Sequence, residues 1–276
     1  MDSLSGFRDR PVSWVRRGVR MTDGQATAWQ QHGHKYLIEP PRTASRESVA
    51  PGWVLDPTQV FEVSQPGSDS RFIIEIGTGR GENIVSAAAR EPETNFLGVE
   101  VYGPGLARAI LLAESAGTGV PIPHLGPGIG EAIANCPTTT GGLANLRLIQ
   151  ADAPELLEAL PEASVDEFWV FFPDPWPKTR HFKRRMIDPG FAKQVAKVLK
   201  PNGVIRLATD WQHYAHQMQE VFTASSEFEP VQTSDGQTER FTGRVLTAFE
   251  SKGIREGREI TDLVFRKREG EKECMG

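Results

Sequence analysis

The chain has 276 residues, enough for one large domain or a domain with an extension. With 38% hydrophobic and 24% charged residues, it has the composition of a soluble globular protein, and no apolar run approaches the roughly 20 residues of a membrane span. The net charge of −5 excludes a uniformly basic nucleic-acid coat, so any nucleic-acid contact must depend on a local cluster of positive charge.

Residues 1–50 are polar and irregular, which predicts a basic, partly disordered N-terminal extension before a main domain over residues 51–270. The extension is either a solvated tail or an arm that contacts phosphates. It lacks the apolar core of a signal peptide. The two cysteines, Cys136 and Cys274, form no metal-binding or disulfide pattern, so we expect no metal site and a reducing, cytoplasmic location.

Strand and helix patterns alternate from residue 71 onward, which predicts an α/β fold with a mostly parallel sheet flanked by helices. The predicted strands cover 71–76, 95–101, 145–150, 165–172 and 204–209, and the predicted helices 82–90, 105–116, 154–160, 191–199 and 214–223. The Gly/Pro/Thr-rich residues 117–142 interrupt this rhythm as a long loop, and 200–203 predict a helix stop and turn. Ligands of such sheets bind at the carboxyl ends of strands.

The first strand ends in a glycine-rich turn, Glu75-Ile-Gly77-Thr-Gly79-Arg-Gly81. Glycine lets the backbone approach a ligand closely. The dinucleotide-binding pattern G-x-G-x-x-G would need a third glycine at Glu82, and Glu75 would repel a pyrophosphate. A cationic nucleoside cofactor such as S-adenosylmethionine fits this turn better.

Two further acids follow the next strands. Glu100 closes the second strand, where a carboxylate accepts hydrogen bonds from ribose hydroxyls, and Asp152 follows the third, where it can accept from an adenine amino group. Each acid alone is typical of a helix cap or surface position. Acids at three successive strand ends, after a glycine-rich turn, predict a cofactor site.

Residues 168–185 join an apolar strand to the rigid segment Pro173-Asp174-Pro175-Trp176-Pro177 and then to a run of cations. A carboxylate beside an aromatic ring can face a nucleobase, and cations can hold phosphates. Lys178 is a candidate to contact an exocyclic oxygen of the base or a phosphate. The other predicted RNA contacts are Arg180, His181, Lys183, Arg184 and Arg185.

Asp210 ends a further strand, where its carboxylate can accept from N1–H and the N2 amino group of guanine. The later segment 243–250 brings Thr247 and Glu250 toward the same half of the domain. From the residues alone, this segment is equally well read as an edge strand with a polar face.

These residues together resemble the tRNA (guanine-N7-)-methyltransferase family of bacteria over roughly residues 75–268. The most specific motifs are Phe172-Pro-Asp-Pro-Trp-x-Lys-x-Arg-His-x-Lys-Arg-Arg185 and Thr247-x-Phe-Glu250. The resemblance implies a Rossmann-like class I methyltransferase fold with a mostly parallel, seven-stranded sheet. It also implies methyl transfer from S-adenosylmethionine to N7 of a guanine in the tRNA variable loop, position 46 in tRNA numbering.

The resemblance also implies roles for individual residues. Asp174 would be catalytic and would also contact the cofactor. The remaining cofactor contacts would be Glu75, Gly77, Gly79, Glu100 and Asp152, and the substrate contacts Lys178, Asp210, Thr247, Ala248, Phe249 and Glu250. Ala248 stands where the family usually has Lys, which lowers RNA affinity unless the N-terminal arginines compensate.

Three other interpretations of the function stay open on the sequence alone. A methyltransferase acting on an exocyclic amine would need a second proline after Asp174, where Trp176 follows Pro175 instead. An NAD-dependent oxidoreductase is disfavoured by the glycine spacing, and a non-catalytic RNA-binding protein by the acids at the strand ends. The sequence is compatible with a monomer or a homodimer.

Overall fold

The computed structural model describes residues 20–42, 48–61, 70–118, 142–232 and 238–269. The described strands are β1 (Leu37–Ile38), β2 (Phe72–Ile76), β3 (Asn95–Glu100), β4 (Leu146–Gln150), β5 (Val165–Phe171), β6 (Leu199–Thr209), β7 (Phe228–Pro230) and β8 (Thr261–Lys267). The described helices are α1 (Asp23–Tyr36), α2 (Pro57–Val60), α3 (Glu82–Arg90), α4 (Gly103–Thr118), α5 (Ala153–Ala159), α6 (Pro189–Val198), α7 (Gln212–Thr223) and α8 (Ala248–Arg255). A 3-10 helix, Thr179–Arg184, lies between β5 and α6.

The strands form one sheet in the order β1-β4-β3-β2-β5-β6-β8-β7. Pairing is parallel from β1 to β6 and antiparallel at β8 and β7. The chain builds outward from β2 to β3 and β4 and then returns to β5, so the switch point of the sheet lies between β2 and β5. The predicted α/β fold is confirmed, with eight strands instead of seven.

The eighth strand arises in the N-terminal region, where we predicted no regular structure. Helix α1 starts with a capping box in which Thr22 and Gln25 each accept from the other's backbone N–H. Tyr36 is buried at its other end and donates to Glu114 on α4 at 2.8 Å. β1 follows directly and pairs with β4. Two residues are too few to show a strand pattern in the sequence.

The core lies on both faces of the sheet because successive side chains of a strand point to opposite sides. In β2, Ile74 and Ile76 join one buried cluster and Ile73 joins the other. The predicted turn at 200–203 lies inside β6. Between two successive pairs with β5, β6 advances five residues, from Leu199 to Val204, while β5 advances only two, from Val165 to Glu167. Asn202 has a φ of +64° there, so a local turn geometry is accommodated within the strand. Residues 119–141, most of the predicted long loop, lie outside the described residues, as do both cysteines.

Candidate active site at the carboxyl edge of the sheet

The five predicted acids lie at the carboxyl ends of five neighbouring parallel strands. Glu75 is the penultimate residue of β2 and Glu100 the last of β3, while Asp152, Asp174 and Asp210 lie just beyond β4, β5 and β6. Because these strands are parallel, their carboxyl ends share one edge of the sheet. The structure therefore brings all five acids to the edge where ligands bind in such folds.

The glycine-rich turn combines an open face with a packed one. Gly77, Gly79 and Gly81 have φ values of +77°, +57° and +76°, a region that favours glycine. A Cβ at Gly81 would lie 2.4 Å from that of Ala109 on α4, so the turn packs tightly there. A Cβ at Gly77 would meet no atom within 4 Å. The open side leaves room for a ligand to approach the backbone.

Glu75 is a buried acid with neutral hydrogen-bond donors. Thr78 Oγ1 donates to it at 2.9 Å and Asn83 Nδ2 at 3.1 Å. Burial raises the pKa of Glu75 to about 7, although these hydrogen bonds oppose the shift. A buried carboxyl group with such a pKa ionises readily when a positive charge is placed beside it. The position therefore suits a cationic ligand and disfavours an anionic one.

Glu100 fixes the glycine-rich turn to β3. One carboxylate oxygen accepts from Gly79 N–H at 2.9 Å, and the other accepts from Val101 N–H and Tyr102 N–H at 2.8 and 2.9 Å. Burial raises the pKa of Glu100, and the negative charge of Asp174 adds to that effect. The oxygen that faces Gly79 keeps a second lone pair, so Glu100 can still accept from a ribose hydroxyl.

Asp152 is a buried acid at the N-terminus of α5, with 7% of its surface exposed. Its backbone N–H donates to Ser48 Oγ at 2.7 Å. Ser48 in turn donates to Glu155 at 2.6 Å. The segment before β2 is thus attached to the same edge of the sheet as the predicted cofactor site.

Asp174 lies in a segment with unusual backbone geometry. Phe172 and Trp176, on either side of it, have φ values of +54° and +42°, which are rare for bulky residues. Such conformations cost about 1–3 kcal/mol each and concentrate at functional sites. Asp174 reaches solvent, yet partial desolvation raises its pKa. The segment thus presents a carboxylate in a fixed position at the switch point.

Arg185, a predicted RNA contact, holds this segment from inside the protein. Only 2% of Arg185 is exposed, and its Nε donates to Pro175 O at 2.8 Å. A terminal nitrogen donates to Gln217 on α7 at 2.7 Å. The guanidinium also lies over the rings of Phe182 and Tyr214, at 3.9 and 4.8 Å. A buried guanidinium with these partners anchors the 173–177 segment.

The remaining cations of this run form an exposed surface, which we call the basic turn (residues 178–184). Lys178, Arg180, Lys183 and Arg184 are exposed around the 3-10 helix. The Arg184 guanidinium lies 5.0 Å from the Trp176 ring centroid. Desolvation and three neighbouring cations lower the pKa of His181, which keeps it neutral near pH 7.

The segment 243–250 leads into helix α8 and is not an edge strand. Thr247 is the N-cap of α8, and its Oγ1 accepts a hydrogen bond from Glu250 N–H at 3.2 Å. Glu250 itself is 1% exposed and pairs with Arg240 and Arg244 at 3.1 and 3.0 Å. This predicted substrate contact is thus held inside the protein by two arginines. Phe249, in contrast, is 56% exposed and lies 5.9 Å from the Phe172 ring.

Arg244 is a residue of this region that the sequence analysis missed. Its side chain is fully buried and pairs with both Glu250 and Asp262, each at 3.0 Å. The available signal was a single arginine between the apolar Phe241 and Val245, close to two acids in the sequence. The predicted substrate residue Asp210 is also ion-paired, with Arg258 at 2.7 Å. The 240–262 region is therefore organised by buried charges.

In the described ranges, no group of three or more His, Cys, Asp or Glu side chains is arranged to hold a metal ion. None of the helices in those ranges is both long enough and apolar enough to cross a membrane.

Comparisons with known proteins identify the family. Residues 69–263 match the model of a family described as putative methyltransferase. A tRNA (guanine-N(7)-)-methyltransferase of Paenarthrobacter aurescens is 37% identical, covering 96% of this chain and 94% of the relative. The protein of that name from Cutibacterium acnes is 39% identical, over 93% and 83% of the two chains.

Among solved structures, this chain is similar to a mutant of the 16S rRNA (adenine(1408)-N(1))-methyltransferase with cosubstrate SAM from Catenulisporales acidiphilia. That protein is 16% identical, the match covers 80% of this chain and 95% of the other, and the TM-score is 0.48. Since the match to the sequence relatives extends over nearly the whole chain, this protein belongs to the S-adenosylmethionine-dependent tRNA (guanine-N(7)-)-methyltransferase family.

Proposed function

We propose that this chain methylates N7 of a guanine in the variable loop of tRNA, with S-adenosylmethionine as methyl donor. The observation that carries the proposal is the set of five acids at one edge of the sheet, in a chain of this family. A tRNA substrate also supports a cytoplasmic location.

The residues at the β2, β3 and β4 ends fit the cofactor. S-adenosylmethionine, when bound, supplies a methyl group on a positively charged sulfur. The open space beside Gly77 admits a ligand next to the backbone, and Glu75 provides a buried negative charge for a cation. Glu100 and Asp152 provide acceptors for the ribose hydroxyls and the adenine amino group.

We propose that Asp174 serves the guanine. N7 already carries a lone pair, so its methylation needs no prior loss of a proton, and the main task of the protein is orientation. Holding reacting groups in line can lower a barrier by about 7–11 kcal/mol. Positive charge develops on the purine as N7 gains the methyl group, and an adjacent carboxylate stabilises that charge. The rigid geometry around Asp174 fixes such a carboxylate at the switch point.

We propose that the basic turn binds tRNA phosphates through its exposed Lys and Arg side chains. Replacing Lys183 and Arg184 together by Ala should weaken tRNA binding. The slope of log affinity against log salt should fall by about 0.7–0.9 for each phosphate that the variant no longer neutralises. Filter binding at several salt concentrations measures both quantities. The matched control replaces Lys193 and Lys197 on α6 by Ala, and it should leave the salt slope unchanged. An unchanged slope in the Lys183/Arg184 variant would place the basic turn outside the RNA interface.

The pKa of Glu75 predicts a pH-dependent affinity for the cofactor. Below pH 7 the carboxyl group is mostly protonated, so a cationic ligand must displace its proton. Affinity for S-adenosylmethionine should therefore rise from pH 6 to pH 8, and Glu75→Gln should remove this dependence. The folding stability of the free protein changes in the opposite direction to the cofactor affinity. Because burial raises the pKa of Glu75, the contribution of this group to stability falls as pH rises from about 4.5 to about 7. Titration calorimetry in buffers of different ionisation enthalpy measures proton release directly, and equal release by wild type and Glu75→Gln would refute the assignment.

The test of the proposed function is transfer of labelled methyl from S-adenosylmethionine to unmodified tRNA. Treatment of the product with borohydride and aniline should break the strand at a variable-loop guanine, because N7 methylation labilises that base. Methyl transfer without strand scission would move the target to another atom, such as an exocyclic amine. Failure to transfer methyl, with cofactor binding intact, would contradict the proposal.

A further inference from the structure

Asn83 is a buried side chain that bridges two parts of the site. It lies in the first turn of α3, directly after the glycine-rich turn, and is 3% exposed. Its Nδ2 donates to Glu75 at 3.1 Å, and its Oδ1 accepts from Val245 N–H at 3.2 Å. One amide thus joins the acid at the end of β2 to the segment that leads into α8.

A second hydrogen bond attaches the same two elements. Glu82, the first residue of α3, accepts from the backbone N–H of Ala248 at 3.0 Å. Residues 245–248 are therefore mounted on the first turn of α3 through two adjacent side chains. Since that turn continues the glycine-rich turn, a change at the cofactor site has a direct physical connection to Thr247 and Phe249.

We propose that Asn83 is a positioning residue that couples binding of S-adenosylmethionine to binding of tRNA. The proposal rests on the proposed role of residues 247–249 in holding the substrate. An ionised Glu75 accepts a stronger hydrogen bond from Asn83 than a neutral carboxyl group does. A cation beside Glu75 therefore fixes the Asn83 amide, whose oxygen in turn fixes Val245. Coupling of this kind is reciprocal, so tRNA should tighten cofactor binding by the same factor.

The experiment compares the dissociation constant of S-adenosylmethionine with and without tRNA for wild type and Asn83→Ala. Wild type should bind the cofactor roughly fivefold or more tightly with tRNA present, the lower range of typical allosteric coupling. Asn83→Ala should bring this ratio close to one and raise the KM for tRNA. Asn83→Asp keeps an acceptor for Val245 but replaces the amide donor to Glu75 by a second carboxyl group, so it should also lose the coupling.

The matched control is Asn145→Ala. The Asn145 amide donates to three backbone carbonyls, those of Ala88, Glu91 and Thr94, around the opposite end of α3. This variant should lose stability yet keep the coupling ratio. Equal ratios in wild type and Asn83→Ala, or an equal loss in Asn145→Ala, would overturn the proposal.

A further variant keeps the test decisive if Asn83→Ala does not fold. Glu82→Ala removes the second, less buried attachment, the hydrogen bond from Ala248 N–H, and should lower the coupling ratio in part. An unchanged ratio in both Glu82→Ala and Asn83→Asp would overturn the proposal. The ratio is a binding measurement. A wild-type protein that couples its two ligands but methylates another atom would refute the proposed function without refuting this inference.

Discussion

Asp174→Asn should lower kcat for methyl transfer by about 10²–10³-fold, the usual cost of removing one preorganised electrostatic group. The change keeps the size and polarity of the side chain and removes its charge. Affinity for S-adenosylmethionine should change far less, because Glu75, Glu100 and Asp152 provide the other acids at the cofactor end of the site. Single-turnover kinetics and equilibrium binding measure the two quantities separately. Equal losses in rate and in cofactor affinity would refute a catalytic role.

The control for this variant is Asp188→Asn. Asp188 is an exposed acid that caps α6 by accepting from Phe191 N–H at 2.8 Å. Asn is an equally good N-cap, so the helix should be preserved while the same charge is lost. A large rate loss in this variant would mean that net charge near the basic turn, and not the position of Asp174, controls the reaction.

Arg244→Met should be the most destabilising single change in the 240–262 region. It leaves Glu250 with Arg240 alone and removes the buried cation from Asp262. Breaking a buried ion pair from one side costs about 3–5 kcal/mol. Urea unfolding should show a loss in that range, and the KM for tRNA should rise because Thr247 and Phe249 lose their support.

Arg255→Met is the control, since Arg255 is exposed on α8 and donates only to Ser251 O among its described contacts. Its loss should cost little stability.

The ion pairs of Glu250 with Arg240 and Arg244 also predict a pH dependence of stability. Hydrogen bonds and charges from the two arginines lower the pKa of Glu250 despite its burial, so its stabilising contribution is present above its unfolded pKa and is lost as pH falls through the lower folded value. A stability difference between wild type and Glu250→Gln that does not shrink on acidification would contradict this assignment.

The central part of the fold could be predicted from the sequence because its signals are local. Helix α3 was predicted with the observed ends, since a glycine-rich turn precedes an alanine-rich run. The pattern of β5 was equally clear, a long apolar run closed by Pro173. The acids at the strand ends were located by the same alternation, without any knowledge of contacts between strands.

The remaining features depend on contacts that no local pattern records. Arg185 belongs to a run of cations in the sequence, and only its packing on Phe182 and Tyr214 separates it from the exposed members. Glu250 matches a substrate motif of the family, yet Thr247-x-x-Glu250 is also the pattern that starts a helix, and a local signal for α8 was therefore present. Asn83 carries no motif at all.

The two outermost strands of the sheet are very short, two residues in β1 and three in β7. Long, flat edge strands present unpaired main-chain groups that recruit strands from other molecules and so promote aggregation. Here β1 covers the side of β4 that would otherwise be such an edge, and β7 ends in Pro230, which has no N–H to donate. The N-terminal segment α1–β1 thus has a protective consequence for the sheet: a two-residue strand, instead of the five-residue β4, forms its parallel edge, which shortens the row of main-chain groups open to pairing with another chain.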